Sequence, residues 1–393
     1  MRPIPGDRIH AFRPVRSDPP LLRPTPGGDA PPLELADDGT VWVLDSAAPF
    51  FVGFDQDGEV VSSMGSQGEG PQEFQAPVAL VRPRSTDPEV EGIWTYDRMR
   101  HAMTRIVGGE PHAVTEPEGT VVPFDQNEVA PLTLLSDEGG IPQPVEWVRE
   151  LGDGVLVAQG PDTLPDGLRW WRADLVTLSL TDGAIHRHWN MEEHLADPAD
   201  HHPEADVFLP VPLWATCPDG GAWMYDPADN AVRALPDPAG AADAERRHVA
   251  LPPERRAVLT ADRLFAMLAP RMMEEAPAGQ RPTDEELRLM FEGEVVPMLD
   301  EFAEVFPEYY TMRCSADGAL WLQEFDVEEG HGGAGWTWLR VLDPATGGSA
   351  DDPELERVRF PEGFTPMRFT EDRAWGIARD EVDVPWVARA DIQ

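Results

Sequence analysis

An all-β fold, a six-bladed β-propeller with a helical insertion between blades four and five, is what the 393-residue sequence predicts. Three observations predict it. A degenerate unit recurs six times along the chain, each copy leads through a tight turn into a strand centred on one apolar slot, and the last copy stops one strand short.

The unit is an apolar strand, an Asp-Gly-type turn and a tryptophan-centred strand. The copies run Leu33 to Asp45, then to Asp97 through Trp94, Trp147 to Leu156, Trp214 to Asp226, Met312 to Glu324, and Met367 to Trp375. The central slot holds Trp42, Trp94, Leu156, Trp223, Trp321 and Trp375. Asp-Gly supplies the positive φ that two-residue hairpins require. The flanking runs alternate and favour β-branched and aromatic residues, as strands do. Third strands follow at Phe50 to Phe54, Ala102 to Val107, Leu175 to Leu180, Ala231 to Leu235, Thr337 to Leu342 and Trp386 to Ala390. Fourth strands, such as Glu59 to Met64 and Ala184 to Trp189, complete the blades.

Most steps between central slots somewhat exceed the roughly 40–50 residues of familiar blades. The step from Trp223 to Trp321 is much the longest and must hold an insertion. Residues 251–308 are expected to fill it as helices. Thr260 can cap one containing Leu264, Phe265, Leu268 and Met272. Thr283-Asp-Glu-Glu286 has the form of a capping box, followed by Leu287, Met290, Phe291, Val295, Met298, Phe302 and Val305 at helical spacing, with Pro297 dividing the run. The sequence ends after the third strand of blade six, and Ile9 to Arg13 is expected to supply the fourth, closing the ring over residues 1–393 as one domain.

Residues 41–80 read VWVLDSAAPFFVGFDQDGEVVSSMGSQGEGPQEFQAPVAL. This stretch resembles the NHL-repeat consensus and related bacterial six-bladed propellers, in Trp42-Val-Leu-Asp45, the Phe54-Asp-Gln-Asp-Gly58 turn and Gly65 to Phe74 followed by Pro77. The resemblance fades along the chain and implies fold. It spans binding proteins, sensors, lyases and lactonases, so it does not choose among functions. The cluster Gly65, Gly68 and Gly70 is not a phosphate loop: Pro71 follows, Glu69 and Glu73 would repel phosphate, and the next element reads as a strand. It reads as an inter-blade loop.

Composition narrows the partners. The net charge is −41, and all 31 basic residues are arginine. Such a surface repels phosphate backbones and anionic membranes, so neither nucleic-acid binding nor membrane insertion is expected. No run reaches the 18 or more apolar residues of a membrane helix. Met1 to His10 lacks the apolar core of a signal peptide, so a soluble chain is expected, with a mature extracytoplasmic location left open. The charge also fits a high-GC genome and adaptation to salt. Cys217 and Cys314 precede the turns of copies four and five. Either buried thiols or a disulfide between neighbouring blades fits that placement.

Long segments concentrate on one face, that of the second-to-third-strand loops and the connections between blades: Glu116 to Gln143, Gly160 to Gly167, Asn190 to Pro210, Leu251 to Glu308 and Glu324 to Gly335. Function is expected there. A carboxylate stands three residues after the central slot in four copies, Asp45, Asp97, Asp226 and Glu324. These are candidate ligand-binding residues that could converge on a divalent cation such as calcium, or simply cap turns. The resemblance implies the second, since NHL repeats carry that aspartate within the blade. His201 and His202, near Asp197, Asp200 and Glu204, are further candidates for a metal or for acid–base work, set against a solvated loop. No nucleophile elbow or glycine-rich cofactor fingerprint appears. Two functions survive. The favoured one is a binding or scaffold propeller engaging a protein, glycan or small ligand on the long-loop face. The alternative is a metal-assisted lyase or hydrolase at the mouth of the central channel.

Overall fold

The computed structural model describes residues 2–3, 9–14, 33–45, 48–68, 73–83, 91–97, 102–107, 110–111, 145–151, 154–159, 174–179, 185–190, 212–217, 221–235, 248–252, 257–275, 282–301, 305–325, 337–342, 355–379 and 385–392. Strands gather into antiparallel sheets that follow the repeat. The first is Leu33–Leu35, Val41–Leu44, Phe51–Phe54 and Val60–Met64. The second is Pro77–Val81, Ile93–Asp97, Ala102–Val107 and Glu110–Pro111. The third is Val145–Leu151, Gly154–Gln159, Asp174–Ser179 and Ile185–Asn190, and the fourth Leu213–Thr216, Ala222–Asp226, Ala231–Ala234 and His248–Ala250. The fifth holds Tyr309–Cys314, Leu320–Glu324, Thr337–Val341 and Leu355–Arg359. The last combines Phe364–Phe369, Arg373–Arg379 and Pro385–Asp391 with the N-terminal strand Ile9–Pro14.

The expected blade of four strands is met in regular form by five sheets. The sheet beginning at Tyr309 departs from it: Arg2–Pro3 adds a fifth strand, parallel to Leu355–Arg359. Ile9–Pro14 runs antiparallel to Pro385–Asp391, with Ile9 opposite Ala390 and Ala11 opposite Ala388, so the two ends of the chain share one sheet. The first strands of successive sheets are neighbours, Phe364–Phe369 with Leu33–Leu35, then onward through Pro77–Val81, Val145–Leu151 and Leu213–Thr216 to Tyr309–Cys314. This is the inner wall of an all-β propeller.

The recurrent tryptophan has a packing reason. Strand residues alternate between faces, and each face of a blade meets a neighbouring blade. Trp321 and Trp338 pack with Phe364 and Phe369 of the next sheet, Trp321 stacking on Phe369 at 4.3 Å. Trp375 packs with Leu33, Val41 and Phe54 of the first sheet, and Trp42 with Leu80 and Ile93 of the second. A large flat side chain therefore fills these three wedges between sheets, where its apolar area contributes most to stability.

The two-residue hairpins expected are met where Leu151 stands opposite Gly154 and where the Thr370 N–H donates to the Arg373 carbonyl at 2.8 Å, but two Asp-Gly turns differ. Ala36 and Thr40 pair across Asp37, Asp38 and Gly39, and Ser315 and Ala319 across Ala316, Asp317 and Gly318. These are three-residue loops in which glycine takes the left-handed position, at φ 83° in Gly39 and 85° in Gly318. The glycine is needed there because a side chain at positive φ is strained. The segment around Gly65 contains a short parallel pairing of Ser66–Gln67 with Glu73–Phe74, in keeping with a connection rather than a phosphate loop.

Between the fourth and fifth sheets the chain forms α1, Ala261–Glu275, and α2, Asp284–Glu294, then a 3₁₀ turn, Val296–Glu301, that contains Pro297. Thr283 caps α2 through a reciprocal box: its hydroxyl accepts from the Glu286 N–H at 3.3 Å, and the Glu286 carboxylate accepts from the Thr283 N–H at 2.8 Å. Thr260 accepts from the Arg263 N–H at 3.3 Å at the start of α1. The helices bury a separate small core of Leu264, Met267, Phe291 and Phe306. Phe306 stacks on Phe325 at 5.5 Å, and the Phe325 N–H donates to the Glu308 carbonyl at 2.9 Å, tying this core to the loop that leaves the Leu320–Glu324 strand.

Candidate functional site at the strand ends

Asp97 and Asp226 end the second strands of their sheets, Glu324 ends the corresponding strand of the fifth, and Asp45 follows Leu44 directly. Asp45, Asp97 and Asp226 are buried and Glu324 is half-buried. A buried carboxylate needs hydrogen bonds. Asp97 accepts from the backbone N–H of Gln75 at 2.7 Å and of Ala76 at 3.1 Å, which fixes the connection entering its own sheet. Asp226 accepts from the Ala228 N–H at 2.9 Å and lies 3.5 Å from the Arg233 guanidinium. The Asp45 N–H donates to the Phe50 carbonyl at 2.7 Å and so closes the turn into the third strand. Glu324 accepts from Arg357 Nε at 2.5 Å. The four residues occupy equivalent places in four different sheets. Among the described residues no group of three His, Cys, Asp or Glu side chains is placed to hold a metal. His201 and His202 lie outside the described residues.

Around Glu324 the structure assembles a polar cluster that the repeat pattern did not single out. Tyr309 stands opposite Glu324 across the first two strands of the fifth sheet. Its ring meets that of Tyr225, from the fourth sheet, edge to face at 5.0 Å. The Tyr225 hydroxyl lies 3.4 Å from Asn230 Oδ1, and Asn230 Nδ2 donates to the Pro252 carbonyl at 2.6 Å, where the helical connection begins. The Tyr309 hydroxyl is buried without a hydrogen-bond partner among the described residues. Burial first, and then the negative charge of Glu308, push its ionisation far above the ordinary tyrosine range, so the phenol remains a neutral O–H donor. Burial works against the Arg357 cation, but the hydrogen bond and charge of Glu324 outweigh it and raise its pKa. The cluster thus presents a neutral donor beside a carboxylate–guanidinium pair. The legible signal was the repeated Trp-x-Tyr-Asp of Trp94 to Asp97 and Trp223 to Asp226. Tyr309 had no such mark, because its role arises where the helical connection re-enters the sheet.

Cys217 and Cys314 form a disulfide with Cα atoms 5.1 Å apart, which settles the two alternatives their placement left. It joins the ends of the inner strands of the fourth and fifth sheets, at the opposite end of those strands from Tyr309.

No protein-family model matches the sequence, and neither does any curated protein, so the NHL resemblance of residues 41–80 does not extend to a family assignment. The chain is similar to solved β-propeller structures at low identity. One is virginiamycin B lyase from Staphylococcus aureus, at 10% identity over 97% of this chain and 98% of that one, with a TM-score of 0.40. A gluconolactonase from Xanthomonas campestris matches at 13% identity over 100% and 99%, with a TM-score of 0.40. The calcium-binding protein regucalcin from Agrobacterium tumefaciens matches at 11% identity over 100% and 95%, with a TM-score of 0.39. Similarity at this level assigns no activity to this chain.

Proposed function

We propose that this chain is a six-bladed propeller that works as a binding or scaffold protein, through the face carrying the helical connection 251–308. The count of six is supported by taking the five-stranded sheet as a blade beside the five regular ones. The observation that carries the functional reading is the outer surface of α2. While Leu287 and Phe291 bury inward, Leu289 stays 63% exposed and Met290 46% exposed. Glu285, Glu286, Glu292 and Glu294 surround them, all exposed. An apolar pair with an acidic rim suits a partner protein, glycan or small ligand with an apolar spot and positive or hydroxyl-bearing edges. The disulfide supports an oxidising, extracytoplasmic setting. No helix among the described residues is long and apolar enough to cross a membrane.

The test is binding to glycan arrays and to immobilised basic peptides by the native chain and by Leu289→Ser/Met290→Ser. Ligands retained by the native chain and lost by a variant of unchanged melting temperature support the reading. Equal retention by both overturns it.

The second reading, a metal-assisted lyase or hydrolase, is favoured by the unpartnered Tyr309 hydroxyl beside the Glu324–Arg357 pair. In that reading the ligands would be drawn from Asp45, Asp97, Asp226, Glu324, His201 and His202, although no three described carboxylates stand around one point, with calcium the cation that carboxylates suit best. Millimolar calcium should then stabilise the chain far beyond sodium chloride of matched ionic strength, and Asp226→Asn/Glu324→Gln should abolish the difference. Identical behaviour of the two salts removes this reading.

A further inference from the structure

Helical spacing orders the outer face of α2. Glu285 stands one turn before Leu289 and Glu292 one turn after it, and Glu294 stands one turn after Met290. We propose, resting on the reading that this face is the binding surface, that its occupant is an extended basic segment of a partner protein, with a bulky apolar residue between two arginines or lysines.

The face is free to receive it. Leu289 and Met290 are exposed. Glu285, Glu292 and Glu294 are exposed too, and among the described residues no hydrogen bond or ion pair engages their carboxylates. Glu286 differs, because Thr283 holds its carboxylate, and it does not belong to this set. The one cation of α2, Arg288, is directed at α1: its guanidinium lies over the Phe265 ring at 4.6 Å and 3.3 Å from the Asp262 carboxylate. It leaves the other carboxylates without a counter-charge.

Gly293 supplies an independent observation. It follows Met290 by one turn, its backbone is helical, and a Cβ there would meet nothing within 4 Å. Neither packing nor backbone geometry within the chain asks for glycine at this place, and glycine weakens a helix relative to alanine. The bare turn leaves room for a partner's side chain against Leu289 and Met290.

Charge and shape select the partner. A net charge of −41 repels a second copy of the chain, a nucleic acid or an anionic membrane. A sugar ring stacks best on an aromatic side chain, but the exposed large apolar residues among the described ones are Val60, Val61, Val258, Leu289 and Met290, none of them aromatic. The Met290 thioether is flexible and adapts to an apolar group packed on it. From Glu285 to Glu292 the helix rises about 10 Å. An extended peptide advances about 3.3 Å per residue, so cations three residues apart reach both carboxylates.

The experiment measures, by fluorescence anisotropy on the full chain, the binding of a short labelled peptide with two arginines three residues apart and a leucine between them. A second peptide has glutamines in place of the arginines. The arginine peptide should bind about five- to tenfold more tightly, from two exposed ion pairs. Glu285→Gln/Glu292→Gln should erase that preference. Asp57→Asn/Glu59→Gln, which removes the same charge from an exposed turn of the first sheet, should keep it. Equal binding of the two peptides, no binding of either, or equal loss in both double variants overturns the assignment. If the arginine peptide fails while another ligand is held by the native chain and lost by Leu289→Ser/Met290→Ser, the basic partner is refuted and the binding face stands. If the arginine peptide binds the native chain and Leu289→Ser/Met290→Ser alike, both fall.

Discussion

Breaking the Cys217–Cys314 disulfide is the sharpest probe of how the ring is held together. The bond closes a loop of 97 residues in sequence separation. That loop contains the outer three strands of the fourth sheet and the whole helical connection. The bond acts mostly on the unfolded chain, where it forbids the two ends of this loop from separating. The chain-entropy relation gives about 4–5 kcal/mol for a loop near this length. Loss on that scale is a large part of the ~5–15 kcal/mol that usually separates folded from unfolded chains. The perturbations are reduction with dithiothreitol and, separately, Cys217→Ala/Cys314→Ala. Cys217 is buried and Cys314 half-buried in packed surroundings, so the alanine variant also loses a little contact area. Urea titration followed by tryptophan fluorescence should give the same large loss of stability in both cases. The slope with urea should rise, because an uncrosslinked unfolded chain exposes more surface. A loss below about 1 kcal/mol in the reduced protein would refute the argument that the bond restrains the unfolded chain. Two reactive thiols in urea without reductant would refute the bond itself.

Three further outcomes follow from the ends of the chain and from the helical connection. Deleting residues 1–14 removes the strand paired with Pro385–Asp391 and leaves an unprotected edge, so the melting temperature should fall by several degrees and chain association should rise; an unchanged melting temperature counts against closure. Thr283→Ala should cost about 1 kcal/mol of local helix stability, read as faster amide exchange across residues 284–294. The hydrogen bonds from the Thr283 N–H and hydroxyl hold the Glu286 carboxyl below its ordinary range. Its contribution is therefore complete above the unfolded carboxylate pKa of about 4.3 and is lost as pH falls through the lower folded value. An NMR titration should place Glu286 below other exposed glutamates in the native chain and return it to their range in Thr283→Ala.

The sequence alone determined the elements that depend on neighbours in the chain. Turn chemistry and alternation set the strands, since an Asp-Gly loop and a two-residue period act over a few residues. The Thr283 box and the apolar stripe behind it were legible for the same reason, as was the N-terminal strand needed to complete the last sheet. The tertiary structure decided everything that depends on which sheets become neighbours. Asp97 could be read as a turn cap or a metal ligand until the backbone of Gln75 and Ala76 was brought onto it. Glu324 acquired Arg357 from the far strand of its own sheet and Tyr309 from the residue that follows the helical connection. The two cysteines occupied matching repeat positions, but only the ring placed those positions side by side. The fifth strand, Arg2–Pro3, had no pattern to announce it, because two residues carry no period and their place depends on an open edge made elsewhere. Local preferences are written in the order of residues; partners across a blade interface come from closure of the sheets into a propeller, which brings together side chains separated by a whole repeat.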